Sequence, residues 1–203
     1  MSKLFYMTGN YGKYIRVKEK FDNVDVDIDY SNCDLDELDV NDIELISKNK
    51  AIQAYDKLHS PVFVIDSGFY IDEYPNNPGY PGAFVKRSGI SSDIDNLLSV
   101  MSGVSNRKCR FMDCLTFYDG NEFYCFYGVS EGVLSCEKRG DFIKKALSNL
   151  WYVFIPNNHD KTLAEMSDYE RNNRNDGHTS ALDEFIKWYV EVYLKINRLN
   201  LSL

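Results

Sequence analysis

Apolar positions along this chain fall into short runs and stripes that switch between the two-residue period of a strand and the 3.6-residue period of a helix. Leu4–Met7 is an apolar run that ends at Thr8-Gly9-Asn10, where the chain must turn, and Lys13 to Phe21 reads as a helix. Val24, Val26 and Ile28 alternate with Asp25, Asp27 and Asp29, which predicts a strand over Val24–Tyr30 with one wet face. An acidic stretch runs from Asp34 to Glu44. Leu45, Ala51, Ile52, Tyr55 and Leu58 then predict an amphipathic helix over Leu45–Leu58. Pro61 stops it and opens the continuous run Val62-Phe63-Val64-Ile65, the pattern of a strand buried on both faces. This run is predicted to end in Asp66-Ser67-Gly68. An acidic residue then stands at the carboxyl end of a buried strand, where open α/β sheets place ligand sites.

Between Pro75 and Gly82 three prolines and two glycines predict a rigid loop. Cys109–Tyr118 and Glu122–Tyr127 flank Asp119-Gly120-Asn121, a strong hairpin signal. Asp141–Leu150 and Thr162–Tyr169 are candidate short helices. Leu182, Phe185, Ile186, Tyr189, Tyr193 and Ile196 form a helical stripe near the end. With no internal repeat and no linker, one α/β unit with a cleft is the simplest architecture.

Composition narrows the function classes. In 203 residues, 44% are hydrophobic and 27% charged, the balance of a soluble globular chain long enough for one good core or two lobes sharing a cleft. A net charge of −8 lacks the basic face that a nucleic-acid groove needs, so no nucleic-acid partner is expected. A small phosphate ligand is still compatible, if a few lysines converge and a divalent cation offsets the charge. No apolar run approaches the roughly 20 residues that span a bilayer, so no membrane partner is expected. The opening Met1 to Tyr6 reads as a buried strand, not a targeting segment. Five dispersed cysteines without a CxxC pair point to reduced thiols in a cytosol-like, cytoplasmic setting, each read as a small core hydrophobe.

Several motifs follow in order. Thr8-Gly9-Asn10-Tyr11-Gly12-Lys13 matches T-G-N-x-x-K; Asp34-Leu35-Asp36-Glu37 is similar to D-L-P-E; Lys50-Ala51 is similar to K-A. Pro61 to Gly68 is similar to P-V-x-V-E-D-S-G, and Pro81 to Lys86 to P-G-x-Y-x-K. Phe126-Tyr127-Gly128 with Glu131-Gly132, then Lys161-Thr162-Leu163-Ala164-Glu165-Met166, complete the set. Their joint order and spacing, from residue 4 to about 190, resembles the inosine triphosphate pyrophosphatase family, the nonstandard purine nucleoside triphosphate pyrophosphatases. The resemblance implies a mixed central sheet flanked by helices, with two lobes and a substrate cleft in a single domain over residues 1–203. It also implies a homodimer and cleavage of a nucleoside triphosphate between the α- and β-phosphates, to a monophosphate and pyrophosphate.

That reaction needs charge neutralisation along the triphosphate, a divalent metal and an oriented water. Thr8, Asn10 and Lys13 are the expected phosphate cradle, with Lys13 as a point charge next to a helix N-terminus; the alternative for Lys13 is a solvated helix lysine. Lys50 is a second phosphate-side cation, with Lys48 as its rival. Glu37 and Asp66 are the expected ligands of Mg²⁺, which is held by one or two carboxylates plus water and phosphate oxygens. Glu44 takes the place of Glu37 if the register differs. Asp66 also orients or deprotonates the attacking water, or else caps the turn at Ser67-Gly68, while Ser67 and the Gly68 backbone either bind phosphate or shape that turn. Phe84 and Lys86 match family positions near the substrate or the dimer contact.

Three departures from the family pattern stand out. Where the family has F-G-[YW]-D-P, this chain has Ser148-Asn149-Leu150-Trp151-Tyr152, which keeps a ring for a base at Trp151 or Tyr152 but no glycine or aspartate. Where the family has a lysine followed by S-H-R, this chain has Arg171, or Arg174, followed by Gly177-His178-Thr179, with His178 as the substrate-side residue. Ile65 replaces the acidic residue before Asp66. The expected outcome is triphosphate cleavage with relaxed or redirected base selectivity. A nucleotide-binding module without turnover is the alternative, and a pure protein-interaction role is a third reading.

Overall fold

The structure, a computed structural model, describes residues 3–141, 146 and 148–196. The chain divides into two compact units interleaved in sequence. One is built on the segments up to Asp66, from Asp113 to Tyr127 and from Ser180 onward; the other on Ser67–Met112 and Gly128–Thr179. Strands β3, β5 and β6 contribute residues to both.

In the first unit, β1 (Leu4–Met7) pairs in parallel with β2 (Ile28–Ser31) and with β3 (Val62–Ile71), in the registers Leu4↔Ile28 and Phe5↔Val62. The predicted strand from Val24 is shorter at its start. The Val24 and Val26 amides bond back to the carbonyls of Phe21 and Val24, so this stretch turns and only Ile28 onward reaches β1. The helix α1 (Tyr11–Phe21) buries Tyr14, Val17 and Phe21, while α2 (Ile43–Leu58), capped by Asp42, buries Ile43, Ile46, Ala51 and Ala54. Strand alternation puts Phe63 into a core with Tyr14, Phe21 and Phe185, and puts Val62 and Val64 into another with Ala51 and Ala54. Burying a ring such as Phe185 contributes about 2–3 kcal/mol. The predicted hairpin is β5 (Lys108–Tyr118) and β6 (Phe123–Leu134), with Asp119 Oδ1 accepting from the Asn121 and Glu122 amides and Gly120 at φ +100°. The last stripe is α5 (Ala181–Trp188), followed by a π-helical turn, Tyr189–Tyr193.

In the second unit, β4 (Pro81–Gly82) pairs antiparallel with the far half of β3, and β7 (Phe154–Pro156) pairs antiparallel with β6. Parallel and antiparallel pairs coexist, as a mixed sheet requires. A separate core gathers Phe69, Ile71, Leu97, Met101, Leu134, Leu150, Phe154 and Leu163. The helix α3 (Ile94–Val100), two turns capped by Asp93, is too short to stand out as a periodic stripe. The helix expected over Thr162–Tyr169 is displaced: residues 162–166 form a turn, and α4 (Asp168–Asn172) starts behind a Ser167–Glu170 capping box. The helix expected over Asp141–Leu150 falls largely on residues 142–145 and 147, outside the described residues; residues 149–152 form a 3₁₀ turn.

The cysteines are all free, but only Cys109 and Cys114 are buried, with Cys33 and Cys125 half-buried and Cys136 exposed. Among the described residues no helix is long and apolar enough to cross a membrane.

Candidate functional site

The first unit brings six expected residues to the ends of β1 and α1 and to the facing sides of α2 and β3. Asn10 is the N-cap of α1: its Oδ1 accepts from the Lys13 amide at 3.1 Å, and its own amide donates to Thr8 Oγ1 at 3.2 Å. The Tyr14 amide reaches the Asn10 carbonyl as the first α-helical bond, and the Tyr11 and Gly12 amides, which precede it at the positive end of the helix, have no hydrogen bond among the described residues. Asn10 thus shapes the cradle with its oxygen rather than offering that oxygen to a ligand.

Asp66 lies in the middle of β3, not at its end. The strand continues because its far half finds a partner in β4, so there is no turn for Asp66 to cap. Alternation puts Asp66 on the same face as Val62 and Val64, toward α2, where Lys50 Nζ donates to its Oδ1 at 2.5 Å. The same ammonium donates to Glu37 Oε1 at 3.1 Å. Glu37 is held there by its own segment: Gln53 accepts from the Asp36 amide at 2.8 Å and donates to the Asp36 carbonyl at 2.9 Å, and Lys57 donates to the Asp34 carbonyl. Lys50, Gln53 and Lys57, spaced i, i+3, i+7, form one face of α2 that grips residues 34–37. The rivals separate cleanly, since Lys48 pairs with Glu44 one turn earlier, and Tyr127 donates to that same Glu44.

The electrostatics of the trio are unusual. The Asp66 side chain is only 14% exposed, and its Oδ2 is buried with no hydrogen-bond partner among the described residues. Burial raises its pKa above the ordinary 3.8, with Lys50 opposing, Glu37 reinforcing and Lys13 opposing that rise. Burial also pulls Lys50 down, but Asp66 and Glu37 outweigh it and hold the ammonium above its ordinary range. Lys13, Glu37, Lys50 and Asp66 therefore share one field. Among the described residues no group of three or more His, Cys, Asp or Glu converges as a metal site. The donor set is two carboxylates, which is the number that Mg²⁺ uses when phosphates and waters complete its shell. A buried carboxylate oxygen without a partner is the coordination position such an ion would take.

Ile65 alternates to the opposite face, where it packs against the core of α1 and α5. An acidic residue in its place would face that core, so its loss leaves the Glu37–Asp66 pair intact.

The second unit holds the remaining expected residues. Gly68 belongs to a close strand approach: a Cβ there would lie 2.8 Å from the Tyr70 ring and 3.0 Å from the Gly82 carbonyl oxygen. It shapes packing, and Ser67 stands half-buried beside it on the same strand rather than in a turn. Trp151 and Arg171 meet each other, the guanidinium 5.3 Å from the ring centroid. Arg171 also donates to the Leu163 carbonyl at 2.8 Å, to the Met166 carbonyl and to Asp168, so it ties the 163–166 turn to α4. Three of its guanidinium N–H groups are thus given to the protein's own oxygens, a structural role beside the expected one as a phosphate-facing cation. Arg174 is likewise engaged, with Asp176 at 2.9 Å. His178 Nδ1 lies 2.6 Å from Asp176 Oδ1. Asp176 is fully buried, and its pKa lies below the ordinary range: burial works against this, while His178 and Arg174 prevail. Sequence reasoning missed Asp176; the signal was a carboxylate two residues before the singled-out histidine. Phe84 lies in a 3₁₀ turn, Ala83–Val85, with Arg87 stacked 4.4 Å over its ring.

Known proteins resemble this chain over most of its length. A protein of Saccharolobus solfataricus named dITP/XTP pyrophosphatase is 32% identical over 174 residues, 84% of this chain and 85% of that one. One of the same name from Thermococcus kodakarensis is 27% identical over 93% of this chain and 98% of its own length. A HAM1 protein from Coxiella burnetii shares the fold at a TM-score of 0.78 and 20% identity, covering 95% of this chain and all (100%) of that one. The Ham1 family pattern itself matches residues 4–188. With that match over most of its length, this chain belongs to the Ham1 family.

Proposed function

We propose that this protein is a pyrophosphatase that hydrolyses nonstandard purine nucleoside triphosphates, releasing the nucleoside monophosphate and pyrophosphate. The observation that carries the proposal is the Glu37–Lys50–Asp66 trio, with its buried, unpartnered Asp66 oxygen, in the field of Lys13 behind the open amides of α1. The activity named for the relatives supports the substrate class.

Each residue has a definable task. The Tyr11 and Gly12 amides, the helix dipole and the Lys13 ammonium hold phosphate oxygens. Glu37 and Asp66 would hold the Mg²⁺, which when bound neutralises phosphate charge and makes bound water more acidic. Asp66, with its raised pKa, is suited to accept the proton of a water as that water's oxygen bonds to phosphorus and the bridge to the β-phosphate breaks. Lys50 keeps the two carboxylates at fixed separation and offers its positive charge to the departing pyrophosphate.

At the base end, the stretch Ser148–Tyr152 without glycine and aspartate favours weaker discrimination between 6-oxo purines and ordinary bases. His178 is the residue to test there, since Arg171 is committed to main-chain carbonyls. A homodimer and a cytoplasmic setting are part of this reading, on the family resemblance and the free cysteines.

The test is pyrophosphate release over a panel of dITP, XTP and the ordinary nucleotides, with Mg²⁺ and with chelator. We expect Mg²⁺-dependent release, fastest with dITP or XTP. Tight nucleotide binding without release would replace this reading with that of a binding module.

A further inference from the structure

The segment after α4 carries a charged network that the proposed hydrolysis leaves without a task. The side chain of Asp176 has no exposed surface, and donors meet both of its oxygens. Its Oδ2 accepts from Arg174 Nε at 2.9 Å and from Ser130 Oγ at 3.4 Å. Its Oδ1 accepts from the His178 amide at 3.2 Å and lies 2.6 Å from His178 Nδ1. Gly177, at φ +72°, makes the bend that folds the imidazole back onto the carboxylate two residues earlier. Thr179 then ties the segment to β6: its Oγ1 accepts from the Val129 amide at 3.0 Å, and its amide donates to the Val129 carbonyl at 2.9 Å.

This network decides where a proton sits. Burial opposes the charge on Asp176, but His178 and Arg174 hold its carboxyl below the ordinary range, and an ionised carboxylate can only accept. His178 Nδ1 must therefore carry a hydrogen, and in the neutral ring the lone pair is left on Nε2. The His178 side chain is 32% exposed, and its Nε2 has no hydrogen-bond partner among the described residues. The ring thus offers a ligand an acceptor of fixed position, oriented by a group too deeply buried to touch that ligand itself.

We propose that Asp176 is a positioning residue for base selection: it fixes the Nδ1–H tautomer of His178, so that Nε2 accepts from the N1–H of a 6-oxo purine. The inference rests on the pyrophosphatase reading and on His178 standing at its base end, and it names what selects the base there. Adenine brings a lone pair at N1 and loses the bond, whereas hypoxanthine, xanthine and guanine all bring the hydrogen. Sites built to pair with a ligand's N–H reject the analogue that lacks it. The arrangement therefore separates 6-oxo from 6-amino purines without separating guanine from the nonstandard bases.

Two measurements test it. The first reads the tautomer and needs no substrate. In histidine-¹⁵N-labelled protein at about pH 8.5, above the ordinary histidine range, His178 should carry its hydrogen on Nδ1 and leave Nε2 bare, with its signals assigned by their loss in His178→Ala. Asp176→Asn, whose amide donates as well as accepts, should give a mixture of tautomers. A wild-type His178 with its hydrogen on Nε2 overturns the proposal. The second measures kcat/KM for dITP, dGTP and dATP by pyrophosphate release. We expect Asp176→Asn to cut the dITP:dATP and dGTP:dATP ratios by about tenfold, the size of one mismatched hydrogen bond. His178→Ala should cut both ratios as far, and adding Asp176→Asn to it should cut neither further. A merely structural Asp176 would lower kcat/KM for all three nucleotides by one factor, and that result overturns the proposal. So does a His178→Ala enzyme that keeps the wild-type ratios, a result that does not require Asp176→Asn to fold. Release from no nucleotide at all would bring down the pyrophosphatase reading and this role with it, whereas release with unchanged ratios would bring down this role alone.

Discussion

Asp66 is a buried carboxylate, one of whose two oxygens has no hydrogen-bond donor among the described residues. Such a group weakens the fold unless it has a task, because desolvation disfavours the ionised form. Its folded pKa is raised, so its contribution to stability is present below the unfolded pKa and is lost as pH rises through the folded value. At neutral pH the carboxylate is therefore a cost that Lys50 only partly offsets. We expect Asp66→Asn to lower turnover by about 10²-fold or more. Its melting temperature by differential scanning fluorimetry should be no lower than that of the wild type. Turnover close to wild type would remove Asp66 from the mechanism. Lys13→Ala should raise KM and lower kcat, with kcat/KM down by about 10- to 100-fold, the worth of a charged hydrogen bond. A loss confined to thermal stability would make Lys13 an ordinary helix lysine. Both residues could be singled out in the sequence because each stands in a recognisable local motif. Asp176 was not, since nothing local to it announces that it is buried against His178 and Arg174.

Single elements show how little a periodic pattern says about where an element ends. The apolar run Val62–Ile65 correctly marked a buried strand, but the strand runs on to Ile71 because Phe69 and Tyr70 pair with Gly82 and Pro81. That pairing also explains Gly68, which admits the Tyr70 ring. A similar close approach occurs in β6, where a Cβ on Gly132 would stand 2.2 Å from the Ile155 carbonyl oxygen of β7. This obstacle is backbone and cannot swing away. We expect Gly132→Ala to destabilise the protein by about 1–3 kcal/mol, the usual cost of overpacking. The denaturant midpoint should fall with little change in slope, and an unchanged midpoint would show that β7 yields. The resemblance flagged Gly132 as part of a motif; only the β6–β7 contact explains its need for hydrogen in place of a methyl group.

For the molecule as a whole, the proposed binding of an anionic nucleotide must overcome a net charge of −8, and a metal held by carboxylates would link that binding to protonation. On the proposed reading Mg²⁺ would compete with a proton at Asp66, whose pKa is raised above 3.8 by burial. Affinity for Mg²⁺ in the absence of nucleotide, measured by isothermal titration calorimetry, should therefore fall as pH drops through a value above 3.8, and Asp66→Asn should flatten that dependence. An acid limb that survives in Asp66→Asn would assign it to another carboxylate.

By itself the sequence determined the order of the elements, the strand-turn-helix opening, the hairpin and the family, because each rests on neighbours within a few residues. Only the tertiary structure decided which charges meet. Lys48 and Lys50 are two residues apart, roughly 200° around a helix, so one faces Glu44 and the other faces Glu37 and Asp66. Composition cannot choose between them, since both lysines and both glutamates lie in the same polar stretch. The choice is made by Gln53 and Lys57 gripping the segment before Glu37, and by the pleat that turns Asp66 toward α2 and Ile65 away from it.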